Sequence, residues 1–200
     1  MKKAEMKRDI LWTPWSEVGI EHLHLALGPG GSVADSEIVR VIEGGPLRLH
    51  FRLETDGDWR ARRLRAEAPF PDGARLELQS DGAGHWVDGD GRALPALEGC
   101  LDVDIAATPF TNTLPVRRLG LGEGQAAEIS VVYVGIPDLR PRPVRQRYTW
   151  LRATPDGAVY RYEGLETGFR VDLAVDGDGI VLDYPGIWRR AWPPLAPINT

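Results

Sequence analysis

Several short stretches of the chain alternate apolar and polar residues with a period of two, the signature of strands that bury one face. Leu47, Leu49, Phe51 and Leu53 share a face against Arg48, His50, Arg52 and Glu54. Leu76 and Leu78 alternate with Arg75, Glu77 and Gln79, and Leu101, Val103 and Ile105 with Asp102 and Asp104. Phe169, Val171, Leu173 and Val175 alternate with Arg170, Asp172 and Ala174. All of these are expected to be solvated on the polar side. Ile129 to Val134 is apolar on both faces, which predicts the centre of the sheet, with core on one side and a second layer or lined cavity on the other. Residues 20–27, 36–42, 59–67, 145–152, 158–163 and 180–184 read as further strands. No stretch keeps a helical apolar period between caps for more than two turns, so helices should be few and short. The three prolines between Pro137 and Pro143 cannot donate to a ladder and predict a loop.

The punctuation between these stretches points the same way. Asp-Gly, a strong hairpin signal, begins at Asp56, Asp72, Asp81, Asp88, Asp90, Asp156, Asp176 and Asp178. So many strands make an open flat sheet unusual. The expected fold is all-β: one large antiparallel sheet curled into an incomplete or closed barrel. Two hundred residues suit a single domain over 1–200, with an extended or frayed tail at 192–200. No internal repeat of fixed period is present.

Charge and cysteine content narrow the partners. A formal net charge of −5 gives no general attraction to nucleic acid or anionic lipid headgroups. Cys100 is the single cysteine and reads as a small buried thiol. The basic start has no apolar run behind it, so neither an export signal nor a membrane-spanning helix is expected, and the protein reads as cytoplasmic. Exposed sheet edges leave pairing into a homodimer open.

Candidate chemistry is sparse. His22 and His24 share a strand face, and His50 or His85 could add a third ligand of a zinc-like set. No Asp or Glu stands at diagnostic spacing, so ordinary sheet histidines are the preferred reading and no metal is assigned. Asp102 and Asp104 could divide acid and base roles, although a solvated face or pairing with Arg117 and Arg118 explains them more simply. No catalytic residue and no cofactor is assigned. The acidic loops at 88–91 and 176–179 lack the third acidic or amide residue of a calcium loop and read as turns. Seven tryptophans are mostly core, but Arg145, Arg147 and Arg152 beside Tyr148 and Trp150 would suit a ligand with an apolar body and a polar head.

The most distinctive segment is Thr108-Pro109-Phe110-Thr111-Asn112-Thr113-Leu114-Pro115, followed by Arg117 and Arg118. Two prolines and a run of backbone-bonding side chains predict a rigid loop presenting Phe110, Asn112 and the arginine pair. This stretch resembles the bacterial glycolipid-binding family, formerly a domain of unknown function. The resemblance extends to Trp12 through Glu21, Trp59-Arg60, Gln146 to Thr149, Tyr160 to Glu163, Asp183 to Gly186 and Arg189-Arg190. It implies a curled, barrel-like sheet similar to bacterial lipoprotein carriers, and no catalytic residue carries over from it. The expected function is therefore non-enzymatic binding of a glycolipid or other small amphiphile in an apolar cavity, through Phe110, Asn112, Arg117, Tyr133, Arg147 and Trp150. The alternative is a hydrolase-like enzyme using Asp102 and Asp104, or a metal on His22, His24 and His50.

Overall fold

The computed structural model describes residues 6–70 and 73–194. Seven strands leave the N-terminus in order: β1 (Met6–Pro14), β2 (Gly19–Gly28), β3 (Gly31–Ile42), β4 (Gly45–Thr55), β5 (Ala61–Phe70), β6 (Ala74–Ser80) and β7 (Trp86–Asp88). Then come β8 (Asp102–Ile105), a 3₁₀ turn at Phe110–Asn112 and helix α1 (Thr113–Leu119). Six strands complete the chain: β9 (Ala126–Val134), β10 (Pro141–Thr154), β11 (Gly157–Gly164), β12 (Arg170–Asp176), β13 (Val181–Tyr184) and β14 (Trp188–Trp192). Because β14 pairs with β1, both meanders join into one fourteen-stranded sheet with β7 and β8 at its edges. Every neighbouring pair is antiparallel except β8 with β9. The fold is thus the expected curled sheet, incomplete as a barrel.

The two edges do not form a ladder, but they are stitched together. The Trp86 indole donates to the Cys100 carbonyl at 2.9 Å. Gly99 N–H donates to Gly84, and Ala61 N–H to Leu101. A Cβ on Gly84 would stand 2.8 Å from the Gly99 backbone, so this approach requires glycine. Burial pushes the Cys100 thiol up to about 11, consistent with a packing role.

Strand registers fix which loops share an end. Connections 15–18, 43–44, 135–140, 165–169 and 185–187 lie at one end of the sheet, called here the open end. Connections 29–30, 56–60, 81–85, 120–125, 155–156 and 177–180 lie at the far end. Five of the Asp-Gly pairs, beginning at Asp56, Asp81, Asp156, Asp176 and Asp178, sit in far-end turns. Two more close β7, and Asp72 lies outside the described residues, as do residues 195–200 of the expected tail.

β8 runs toward the open end, and α1 returns toward the far end, where Arg117 stacks on Trp59 and β9 begins. This crossover makes the β8–β9 pair parallel, since parallel neighbours need a connection that doubles back. Thr108 to Val116 are buried throughout. Phe110 and Leu114 join the larger apolar cluster with Trp12, Leu23, Leu49 and Trp188, whereas Val116 and Leu119 join a smaller one with Tyr160, Leu173 and Val175. The segment expected as a surface loop is instead a turn and helix between two cores. Pro115 is tolerated because it falls in the first helical turn, where its missing N–H would have no partner. Gly120 closes the helix with φ +55°.

Three further expectations need correction. The two-sided apolar strand, β9, lies next to the edge rather than at the centre. Its Val132 and Val134 enter the larger cluster and Val131 is buried on the other face, while β8 alongside tucks Asp102 and Asp104 under Arg118, Thr111 and Gln146. Asp102 and Asp104 therefore do not lie on a solvated face. Pro141 and Pro143 lie in β10, not a loop. Arg145 directs its N–H and C=O toward Glu166 and Leu165, so the prolines of like parity point past the end of β11, where no donor is needed. Among the described residues, no helix is long and apolar enough to cross a membrane.

Leu114 is fully buried. Leu114→Ala should cost about 2–5 kcal/mol, read as a lower urea midpoint at unchanged m-value. A loss below about 1 kcal/mol would show that the 106–119 segment is not part of the core.

Candidate functional site

Where the 106–119 segment turns back at the open end, it leaves a cleft of about 290 Å³. Asp104 and Thr108 line its base, and Asn112, Tyr133, Tyr162, Phe169 and Tyr184 its walls. Arg142 and Glu166 stand at the mouth, paired at 3.5 Å, with the Arg142 guanidinium 4.8 Å over the Tyr133 ring. Rings continue from core to rim: Tyr148 meets Tyr162 at 5.5 Å, Tyr162 meets Phe169 at 6.1 Å, and Phe169 meets Tyr184 at 6.4 Å. Separations and tilts of this kind suit the ring quadrupoles. Strand alternation places them, because Tyr148 and Tyr162 are cross-strand partners and Tyr184 closes β13 at the same end.

The base of the cleft is polar and crowded. Gln146 Nε2 donates to Asp104 at 2.6 Å and Thr111 Oγ1 donates at 3.2 Å. Burial raises the Asp104 carboxyl above the ordinary range, against the lowering effect of those two donors. The Tyr148 hydroxyl donates to Asn112 Oδ1 at 2.8 Å, which fixes the amide. Burial also raises Tyr133, Tyr148, Tyr162 and Tyr184, so each hydroxyl keeps its proton at neutral pH. The cleft thus offers tyrosine hydroxyls, an amide and the Asp104 carboxyl between aromatic walls, with the Arg142–Glu166 pair at its mouth.

Behind Thr108 lies a second buried carboxyl. Glu21 on β2 accepts from Thr108 Oγ1 at 2.6 Å and from Ser36 Oγ at 2.9 Å, both at Oε1. Its Oε2 is buried without a partner. Desolvation pushes the group up to about 8. Glu21 is therefore protonated at neutral pH.

The sequence-predicted residues are dispersed. Asn112 and Tyr133 line the cleft. Phe110 is fully buried in the larger core. Arg117 is at the far end, 5.2 Å over Trp59, and Trp150 lines a shallow hollow there with Arg117 and Tyr160. Arg147 lies on the outer face, paired with Glu128 and, at 3.8 Å, with Glu163. Asp102 is buried against Arg118 at 2.5 Å and does not line the cleft. Sequence reasoning did not find Tyr162, Phe169, Tyr184, Arg142 or Glu166. The available signal was aromatic residues near strand ends that share one end of the sheet, which needs the strand order to be seen.

The histidines have local partners. His22 and His24 both contact Asp9 Oδ1 at 3.0 Å, and His50 contacts Asp35 at 3.1 Å. Among the described residues, no group of three or more His, Cys, Asp or Glu is placed to hold a metal. In the acidic turns, Asp88 and Asp176 each spend Oδ1 on two N–H groups of their own loop.

A family model described as "Putative glycolipid-binding" matches residues 9–190. The chain belongs to that family. It is also similar to a crystal structure of a DUF1089 family protein from Pseudomonas aeruginosa, at 45% identity and a TM-score of 0.74, over 85% of this chain and 91% of that one. No curated protein matches it. The family match spans both meanders and the buried 106–119 segment, so the cleft falls wholly within it.

The Glu21 proton makes stability depend on pH. Its folded value of about 8 exceeds the ordinary 4.5, so the stabilising contribution is full below pH 4.5 and is lost as pH rises through 8. Wild-type stability should fall relative to Glu21→Gln between pH 5 and 9, by on the order of a few kcal/mol. Urea midpoints at pH 5, 7 and 9 check this, and parallel curves for the two proteins would contradict it.

Proposed function

We propose that the protein binds a glycolipid, or a small amphiphile of similar build, without transforming it. The polar head would occupy the cleft, and the apolar part would lie along the open end. The observation that carries this reading is the aromatic cleft itself: Tyr162, Phe169 and Tyr184 stack as a wall above the hydrogen-bonding groups of Asp104 and Asn112. A sugar has both requirements, C–H faces that pack on rings and hydroxyls that need partners. The family's description supports the same ligand class.

The volume divides the ligand in two. The interior is occupied by the 106–119 segment, and about 290 Å³ suits a head group rather than long acyl chains. Apolar surface for the remainder is concentrated at the open end, where Phe169, Val18, Ile20, Val39 and Phe70 are 43–78% exposed. Ile20 and Val39 are direct cross-strand partners there. Each methylene buried against such a surface contributes about 0.8 kcal/mol. Of the residues drawn from the sequence, Asn112 and Tyr133 serve this reading directly.

A second reading, an enzyme using Asp104, has one observation in its favour: a carboxyl raised by burial at the base of a cleft. Asp104→Asn separates the two, because retained binding with lost turnover on a glycoside panel would favour the enzyme.

Titration with octyl glucoside below its micelle concentration tests the binding reading. Tyr162→Ala and Phe169→Ala should each weaken binding about tenfold, near 1.4 kcal/mol, while Arg147→Ala on the outer face leaves it unchanged. Equal affinity of wild type and Phe169→Ala would defeat the proposal. So would the absence of any copurifying or titratable amphiphile in native mass spectrometry.

A further inference from the structure

Three turns of the sheet are built identically. Asp56-Gly57-Asp58-Trp59-Arg60, Asp88-Gly89-Asp90-Gly91-Arg92 and Asp176-Gly177-Asp178-Gly179-Ile180 each use the leading Asp Oδ1 to accept two N–H groups, from the third and fifth residues. In each, the fourth N–H donates to the leading carbonyl, and the leading N–H to the fifth carbonyl. The fourth residue must take positive φ. Two of the turns place glycine there, Gly91 at +79° and Gly179 at +76°, whereas the third places Trp59 at +65°. A bulky residue in this region is strained, and the same turn is made elsewhere in this chain without that strain. An indole held against its backbone preference is a sign of use beyond the turn.

What surrounds Trp59 indicates the use. The Arg117 guanidinium lies 5.2 Å over its ring. No hydrogen bond or ion pair engages Arg117 among the described residues, although α1 and two acidic turns surround it. The adjoining cavity, about 350 Å³, has an apolar wall in Leu27, Pro29 and Met6. Its two carboxylates are already engaged, Asp56 by its own turn and Asp178 by Arg8 at 2.5 Å. A cation with open donors, an aromatic face and an apolar wall together complement an anion on an apolar body. Asp56 and Asp178 would repel a second negative charge.

We propose that Trp59 and Arg117 form a second ligand site, at the far end from the cleft, that takes a singly charged organic carboxylate with an apolar body. Arg117 receives the carboxylate through its planar donors, and the indole and Leu27 pack on the body. The site shares no lining residue with the cleft, so it stands or falls independently of glycolipid binding there.

Octanoate is the probe, with octanol and suberate as controls, followed through the indole N–H resonances of labelled protein, with Trp59 assigned by Trp59→Phe. Octanoate should shift the Trp59 signal, and Arg117→Gln should weaken its binding at least tenfold. Tyr162→Ala, in the cleft, should leave the Trp59 response intact. Octanol or suberate binding as well as octanoate, an unmoved Trp59 signal, or full affinity in Arg117→Gln would each overturn the proposal. Trp59→Gly serves as the fold control, since Gly91 and Gly179 show that the turn accepts glycine. It should melt within a few degrees of wild type while losing octanoate, and a large loss of melting temperature would make Trp59 a packing residue instead.

Discussion

Burying Thr108 to Thr113 places three hydroxyls and one amide in the middle of an apolar molecule, and each must find a partner or bear the cost of desolvation. Most do. Thr108 donates to Glu21, Thr111 to Asp104, and Asn112 donates to the Pro109 carbonyl while accepting from Tyr148. Thr113 Oγ1 is left without a partner. The partners come from strands of both meanders, β2 on one side and β8 and β10 on the other. The buried segment therefore ties the two halves of the sheet to each other as well as filling the space between them.

Polar groups at core positions follow from that demand. Glu21 and Gln146 are fully buried on strands that otherwise turn apolar residues inward. Desolvation favours the neutral Glu21 carboxyl and raises its titration range, against the lowering effect of the Thr108 and Ser36 hydrogen bonds. Arg190 meets a related demand on β14. It bonds Asp176 at 2.9 Å and the carbonyls of Ile180 and Val181, securing the β12–β13 turn whose registers shift before the strands meet. β14 is thus held to its own meander by charge-assisted bonds to backbone as well as by the short β13–β14 ladder.

These same inward polar residues limited what the sequence could reveal. Alternation was clear in β4, β6 and β12, where inward positions are apolar, and the turns followed from Asp-Gly chemistry. β1 and β14 were not legible: Arg8 and Asp9 open the first, and Arg190 occupies an inward position in the second. Without them the joining of the two meanders could not be seen. Thr108 to Pro115 read as a loop because proline and threonine usually mean one. Its helical signals were a proline in the first turn, Arg117 and Arg118 in the last and Gly120 beyond, all packed into seven helical residues. Asn112 and Tyr133 were found as site residues, whereas the aromatic wall emerged only from strand order.

The position of the cleft follows from where the buried segment turns. The strands flanking its reversal at residues 106–109 reach the open end at Gly164 and Tyr184, where Tyr162, Phe169 and Tyr184 line the cleft instead of packing under a further layer. Rings that would be core one turn deeper become walls open to solvent, as the gradient from buried Tyr148 to exposed Phe169 records. At the far end α1 stops at Gly120 and leaves Arg117 over Trp59 in the same way. A plug shorter than the sheet that encloses it leaves recesses at both ends. Here the two recesses differ in chemistry: tyrosines, an amide and a buried carboxyl at one, an arginine on an indole at the other.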